Sequence, residues 1–172
     1  MKKLVFISVL LFAMSLSACI EIKHPQTAGE FRKAVPGAFM SKVDSYVVNQ
    51  PLNKVAGKFK RLAKPCLDVT VKSESRTHMS YQVIVTNYTP TVRVGKNKAE
   101  LHLQQKHEKG VMNVSKQPEK GYYLMLFDAV PAGKRKTRIT YYGPSSGFDH
   151  IRNAVNDWAA GKSNSCPDMT KI

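Results

Sequence analysis

The sequence predicts an α+β domain: an antiparallel meander sheet with an early helix and a C-terminal helix packed on it. Three observations carry this expectation. Short segments of alternating apolar and polar residues follow one another between residues 67 and 142. Only tight turns separate them, which leaves no helical crossover for parallel pairing. Apolar residues at helical spacing precede this region, from Leu52 to Ala63, and follow it, from Phe148 to Ala159.

Taken in order, Pro25, Gly29, Pro36 and Gly37 mark a tether in which Glu30 to Val35 allow one helical turn with Phe31 and Val35 on one side. Val43 to Asn49 reads as a first strand that Pro51 ends. Asn53 then stands at an N-cap position, and Leu52, Val55, Ala56, Phe59, Leu62 and Ala63 share one helical face. Pro65 is expected to stop that helix, with Cys66 just beyond it. Leu67, Val69 and Val71 alternate with polar residues, as do Met79, Tyr81, Val83 and Val85, the pattern of half-buried strands. Val92 and Val94 lead to a turn at Gly95-Lys96-Asn97, and Leu101 and Leu103 continue in the next strand. Lys109-Gly110 predicts a turn before a strand at Val111 to Val114, and Pro118 to Gly121 another. Tyr122 to Phe127 is apolar on both faces, which marks a central strand covered on both sides. Pro131 to Lys134 turns the chain into a last strand, Arg138 to Tyr142, ended by Gly143-Pro144. Ser146 and Asp149 have the spacing of a capping box with Asp in place of Glu. Phe148, Ile151, Val155 and Trp158 line one face of the helix that follows, and Gly161 suits its C-terminal turn.

The chain has 172 residues, with 27 basic and 12 acidic side chains and a formal net charge of +15. It opens with Lys2 and Lys3, an apolar run from Leu4 to Met14, and Leu16-Ser17-Ala18-Cys19. A short apolar segment between a basic start and small residues is the pattern of a secretory signal. The tetrapeptide closely resembles the lipobox of bacterial lipoproteins. In that family the cysteine sulfur receives a diacylglyceryl group, the signal is cut before it, and the new amino terminus is acylated. The resemblance therefore implies lipidation of Cys19, a membrane anchor, and loss of residues 1–18. Several acyl chains hold a protein to a bilayer stably, where one gives marginal binding. In the family an aspartate after the cysteine retains the protein in the inner membrane. Ile20 stands there, which implies an outer-membrane location facing the periplasm.

The expected organisation is thus a signal peptide over 1–18, a lipidated cysteine and tether over 19–42, one α+β domain over 43–166, and a tail over 167–172. Cleavage removes only Lys2 and Lys3 among the charged residues, leaving 25 basic against 12 acidic side chains and a net +13. Such an excess attracts anionic partners over long range, in a salt-dependent way. An envelope location removes nucleic acid from the list. It leaves a protein complex or an anionic envelope polymer as the expected partner, with the membrane engaged through the lipid. Lys54, Lys58 and Arg61 recur at i, i+4 and i+7 away from the apolar face of the early helix and are the candidate anionic-partner patch.

Cys66 and Cys166 remain once Cys19 is assigned to lipid, and an even pair in an oxidising compartment predicts one disulfide. The order strand, helix, meander, helix over residues 43–161 looks like the helix-grip architecture of START-type, Bet v 1-like and BamC-like domains. Lys64-Pro65-Cys66-Leu67 and Trp158-Ala159-Ala160-Gly161, with the following Cys-Pro, also resemble small uncharacterised periplasmic lipoproteins. The helix-grip likeness implies an alternative function, binding or carrying a lipid-like molecule between the sheet and the last helix. Met125, Phe127 and Trp158 would line that cavity.

Catalysis is not expected. The serines lack a GxSxG frame, and no Gly-rich phosphate loop is present. Glu74, Glu100, Glu108 and Glu119 lie in strands or turns with no pairing evident as acid and base. His102 and His107, five apart, would face opposite sides of one strand, and no HExxH, HxH or Cys-His cluster occurs, so neither metal nor cofactor is expected.

Overall fold

The computed structural model describes residues 24–76, 81–108 and 117–171. The lipobox with Cys19 and Ile20, residues Met79 and Ser80, the turn at Lys109-Gly110 and the strand expected at Val111 to Val114 lie outside the described residues. The elements in chain order are α1 (Ala28–Ala34), β1 (Ser41–Val48), α2 (Leu52–Leu67), β2 (Val69–Arg76), β3 (Tyr81–Val94), β4 (Ala99–His107), β5 (Tyr122–Pro131), β6 (Thr137–Pro144) and α3 (Asp149–Ala160). The fold is α+β, with the strands forming one antiparallel six-stranded sheet ordered β1-β6-β5-β4-β3-β2.

Strands β2 to β6 form a meander, and β1 adds to its far edge beside β6. The chain must therefore cross the whole sheet between β1 and β2, and α2 makes that crossing. Its apolar stripe packs with α3 on one face of the sheet. Val55, Phe59, Leu67, Ile151, Val155 and Trp158 are fully buried there against Leu101, Met125, Phe127, Ile139 and Tyr141. The opposite face carries a smaller cluster, in which Ala28, Phe31 and Val35 pack on Leu126, with Tyr123 and Tyr142 at its edge. Strand β5 is thus covered on both sides, as its unbroken apolar run requires.

Several local expectations are corrected. Residues 19–42 are not all tether, because α1 packs on β5 and β1 begins at Ser41. Thr27 caps α1 by accepting from the Glu30 amide at 3.1 Å, while the Glu30 carboxylate accepts from the Thr27 amide at 3.2 Å. The helical turn expected at Glu30 to Val35 is a helix over Ala28–Ala34, which needs the sheet to persist because seven residues are too few to hold alone.

Pro65 does not stop α2. Its missing N–H costs one intrahelical bond, but burial of Cys66 and Leu67 carries the helix two residues further, and the Asp68 amide closes it on the Lys64 carbonyl at 3.1 Å. Pro51, not Asn53, holds the N-cap position of α2, and its carbonyl receives the Lys54 and Val55 amides. Phe148 precedes α3 with no side-chain cap, so the Ser146–Asp149 box does not form, and Asp149 pairs with Arg152 instead. Gly161 does adopt the left-handed conformation at the end of α3, with φ 75°.

Strand β3 runs unbroken through Pro90, which pairs with Leu103. Proline is tolerated because β2 ends its pairing at Val69↔Tyr88, so Pro90 lies where β3 is a sheet edge. A bulge interrupts the β4–β5 register: Leu103 faces Met125, but Gln104 faces Tyr123, leaving Leu124 as an extra residue. That one-residue shift turns Tyr123 to the α1 side of the sheet. The tail is also part of the domain, because Met169 is buried in the main core.

Candidate functional site

The three candidate patch residues lie on the outer side of α2. Lys54 and Arg61 are exposed and Lys58 is half-buried. The Lys58 ammonium and the Arg61 guanidinium both donate to the Asn164 side-chain oxygen, the latter at 3.2 Å. Asn164 is held close by two neighbouring ties: the Trp158 indole donates to the Ser165 carbonyl at 2.8 Å, and the Cys66 and Cys166 sulfurs are bonded, with their Cα atoms 4.9 Å apart. Two cations therefore converge on one neutral acceptor. Among the described residues, none of the three patch side chains forms an ion pair. Cations gathered without an acid make a favourable seat for an anion from outside.

Met125, Phe127 and Trp158 occupy a different environment. They are 0–1 % exposed and sit in the main core, where the Phe127 ring packs against Tyr141 with centroids 5.2 Å apart. None of the three lines either of the two cavities below, both of which lie on the α1 side of the sheet.

On that side a charged cluster fastens α1 to the sheet. Glu100 of β4 and Asp128 of β5 are direct cross-strand partners, two like charges side by side. Arg32 of α1 reconciles them. Its guanidinium donates twice to Asp128, at 2.7 Å each, and also to Glu100. Lys98 contacts Glu100 at 2.6 Å and Asp128 at 3.1 Å. Burial opposes ionisation of Glu100, but the Lys98 hydrogen bond and the charges of Arg32 and Lys98 outweigh it and hold the carboxyl below its usual range. Both acids are thus occupied as ion-pair partners, an arrangement that fixes structure and leaves no free acid–base pair.

His102 lies beside this cluster, 1 % exposed, with Nε2 3.4 Å from Glu100 yet without a hydrogen bond. Burial pushes its imidazole below the ordinary value, and Arg32 and Arg93 reinforce that against the pull of Glu100 and Asp128. His102 borders a polar cavity of about 390 Å³, shared with Gln26, Thr91, Arg93, Gln104 and Tyr123. Among the described residues, no group of three or more His, Cys, Asp or Glu side chains is placed to hold a metal. Sequence reasoning missed this cluster and cavity. One signal was present, a lone Asp128 inside an apolar strand, which demands a cation; its partner, 96 residues away, is visible only in the fold.

A second cavity, of about 310 Å³, is apolar. It lies between α1 and the sheet end, bordered by Pro25, Phe31, Val35, Phe39, Met40 and Pro144. Among the described residues no helix is long and apolar enough to cross a membrane.

Comparison with known proteins adds no activity. No protein-family model matches the chain, and no curated protein matches it. Among solved structures the chain is similar to a hypothetical protein from Helicobacter pylori, at 12% identity and a TM-score of 0.41. The match covers 77% of this chain and 93% of that one. Likeness at that level carries no argument, and the α+β assignment rests on the sheet and helices themselves.

Proposed function

We propose that the chain is a non-catalytic lipoprotein of the bacterial outer membrane, held by acylated Cys19, whose domain binds an anionic partner of the envelope through the basic face of α2. The observation that carries the binding site is the convergence of Lys58 and Arg61 on the neutral Asn164 oxygen, with Lys54 one turn away and no acid paired to any of them among the described residues. The excess of 25 basic over 12 acidic residues in the mature chain supplies the long-range attraction. The lipobox supports the anchor. A lipid-like ligand between sheet and α3 draws no support from the packing, because Met125, Phe127 and Trp158 fill that space.

The test is sedimentation of residues 20–172 with isolated peptidoglycan sacculi and, separately, with lipopolysaccharide, between about 50 and 500 mM salt. We expect binding to one of these polyanions that weakens as salt rises. Neutralising Lys54, Lys58 and Arg61 together to Gln should remove up to about 3 kcal/mol, on the order of 100-fold in affinity, at roughly 1 kcal/mol per cation near an anionic surface. Affinity and salt dependence unchanged in that variant would remove α2 as the binding face.

A further inference from the structure

Phe39 and Met40 are the most exposed large apolar side chains among the described residues, at 93 % and 61 %. Their exposure is imposed by the backbone. Between α1 and β1 the chain makes a tight reversal in which the Ala38 amide donates to the Val35 carbonyl at 3.1 Å and the Ser41 amide to the Ala38 carbonyl at 3.3 Å. The Ser41 hydroxyl, 2.7 Å from both the Val35 and the Ala38 carbonyls, ties the same turn. Met40 adopts φ 54°, a left-handed conformation that a non-glycine residue rarely takes, and its carbonyl accepts from the Ser145 amide at 2.9 Å. An apolar pair held outward by a hydrogen-bonded turn is preorganised to contact something apolar. Behind it lies the apolar groove floored by Phe31 and Val35.

What covers this ridge follows from where the chain comes from. Pro25 forms one wall of the groove, and Cys19 is only six residues earlier. Six extended residues span at most roughly 22 Å, so an acyl anchor on Cys19 keeps the groove within that distance of the bilayer surface. We propose that the Phe39–Met40 ridge and its groove rest in the interface of the bilayer that holds the anchor, fixing the orientation of the domain on the membrane. This inference rests on the lipoprotein reading above. Lys33, exposed on the last turn of α1, adds attraction for anionic headgroups. Because α1 and α2 lie on opposite faces of the sheet, docking by the ridge leaves Lys54, Lys58 and Arg61 free to meet a partner in solution.

The test uses the full chain, processed in a bacterial host and carrying Phe39→Trp, reconstituted into phosphatidylethanolamine–phosphatidylglycerol vesicles with and without brominated acyl chains. The native Trp158 is fully buried and provides a constant background. Residue 39 is almost fully exposed, so the substitution leaves the fold intact. Emission from the introduced indole is expected to move to shorter wavelength on reconstitution and to lose roughly half its intensity or more to brominated lipid, the behaviour of a side chain in the acyl boundary. An acylated variant whose added emission is quenched by aqueous iodide, and not by brominated lipid, overturns the proposal and leaves the anchor standing. A shift to shorter wavelength without bromine quenching also overturns it, and assigns the ridge to a second copy or to residues 20–23. An intact mass showing Cys19 unmodified overturns both readings together.

Discussion

Arg32 makes three charged hydrogen bonds, two to Asp128 and one to Glu100. It neutralises two carboxylates that the β4–β5 register places side by side, and its own side chain is 21 % exposed against 10 % for Asp128. Removing it leaves Lys98 alone to serve both acids. Arg32→Ala should therefore lower stability by about 2–3 kcal/mol in urea unfolding. A loss below about half a kilocalorie would show that solvent screens the cluster. The pH dependence follows from the same contacts. Glu100 has its folded value held below the ordinary 4.5, so its contribution is present above that value and is lost as pH falls through the folded one. His102 is likewise lowered from 6.5, so the unfolded chain takes up its proton first, and stability declines as pH falls below 6.5. Both act in the same direction. Thermal unfolding between about pH 7 and 5 should show a falling midpoint, and His102→Gln should flatten that slope without altering the further loss below pH 4.5.

At the scale of elements, the core-facing helices and the central strand were legible because one periodicity governed each. Trp158, Val155 and Ile151 announced α3, and the two-sided apolar run announced β5 as a covered strand. What was not legible had a tertiary cause. The turn that sets Phe31 and Val35 on one side could be read locally, but its persistence as α1 depends on burying both on the sheet, contacts that no local pattern displays. The continuation of α2 through Pro65 depends on burial of Leu67, and the bulge at Leu124 depends on pairing with β4. The basic stripe of α2 could be read from its spacing, whereas its neutral acceptor Asn164 comes from the far end of the chain. The Cys66–Cys166 bond joins the end of α2 to the segment after α3 across 100 residues. Replacing both cysteines by Ala should cost about 4–5 kcal/mol by the chain-entropy relation. It should also loosen Asn164 and weaken polyanion binding, read as a lower melting temperature and a reduced sedimented fraction. Unchanged binding in the double variant would show that the patch does not need Asn164 in place.

At the scale of the whole molecule, the proposed functions depend on orientation. The sheet separates a basic helix on one face from an apolar ridge on the other, and the anchor would emerge beside the ridge. A tethered domain laid down this way would offer α2 to periplasmic polyanions while the ridge limits its rotation. Everything at this scale depends on one chemical event at Cys19. The most direct measurement is therefore the intact mass of the protein extracted from bacterial membranes. The account predicts a chain beginning at Cys19, carrying a diacylglyceryl group and an amino-terminal acyl chain, and two hydrogens lighter for the disulfide. A chain that keeps residues 1–18, or starts elsewhere with an unmodified Cys19, would contradict it.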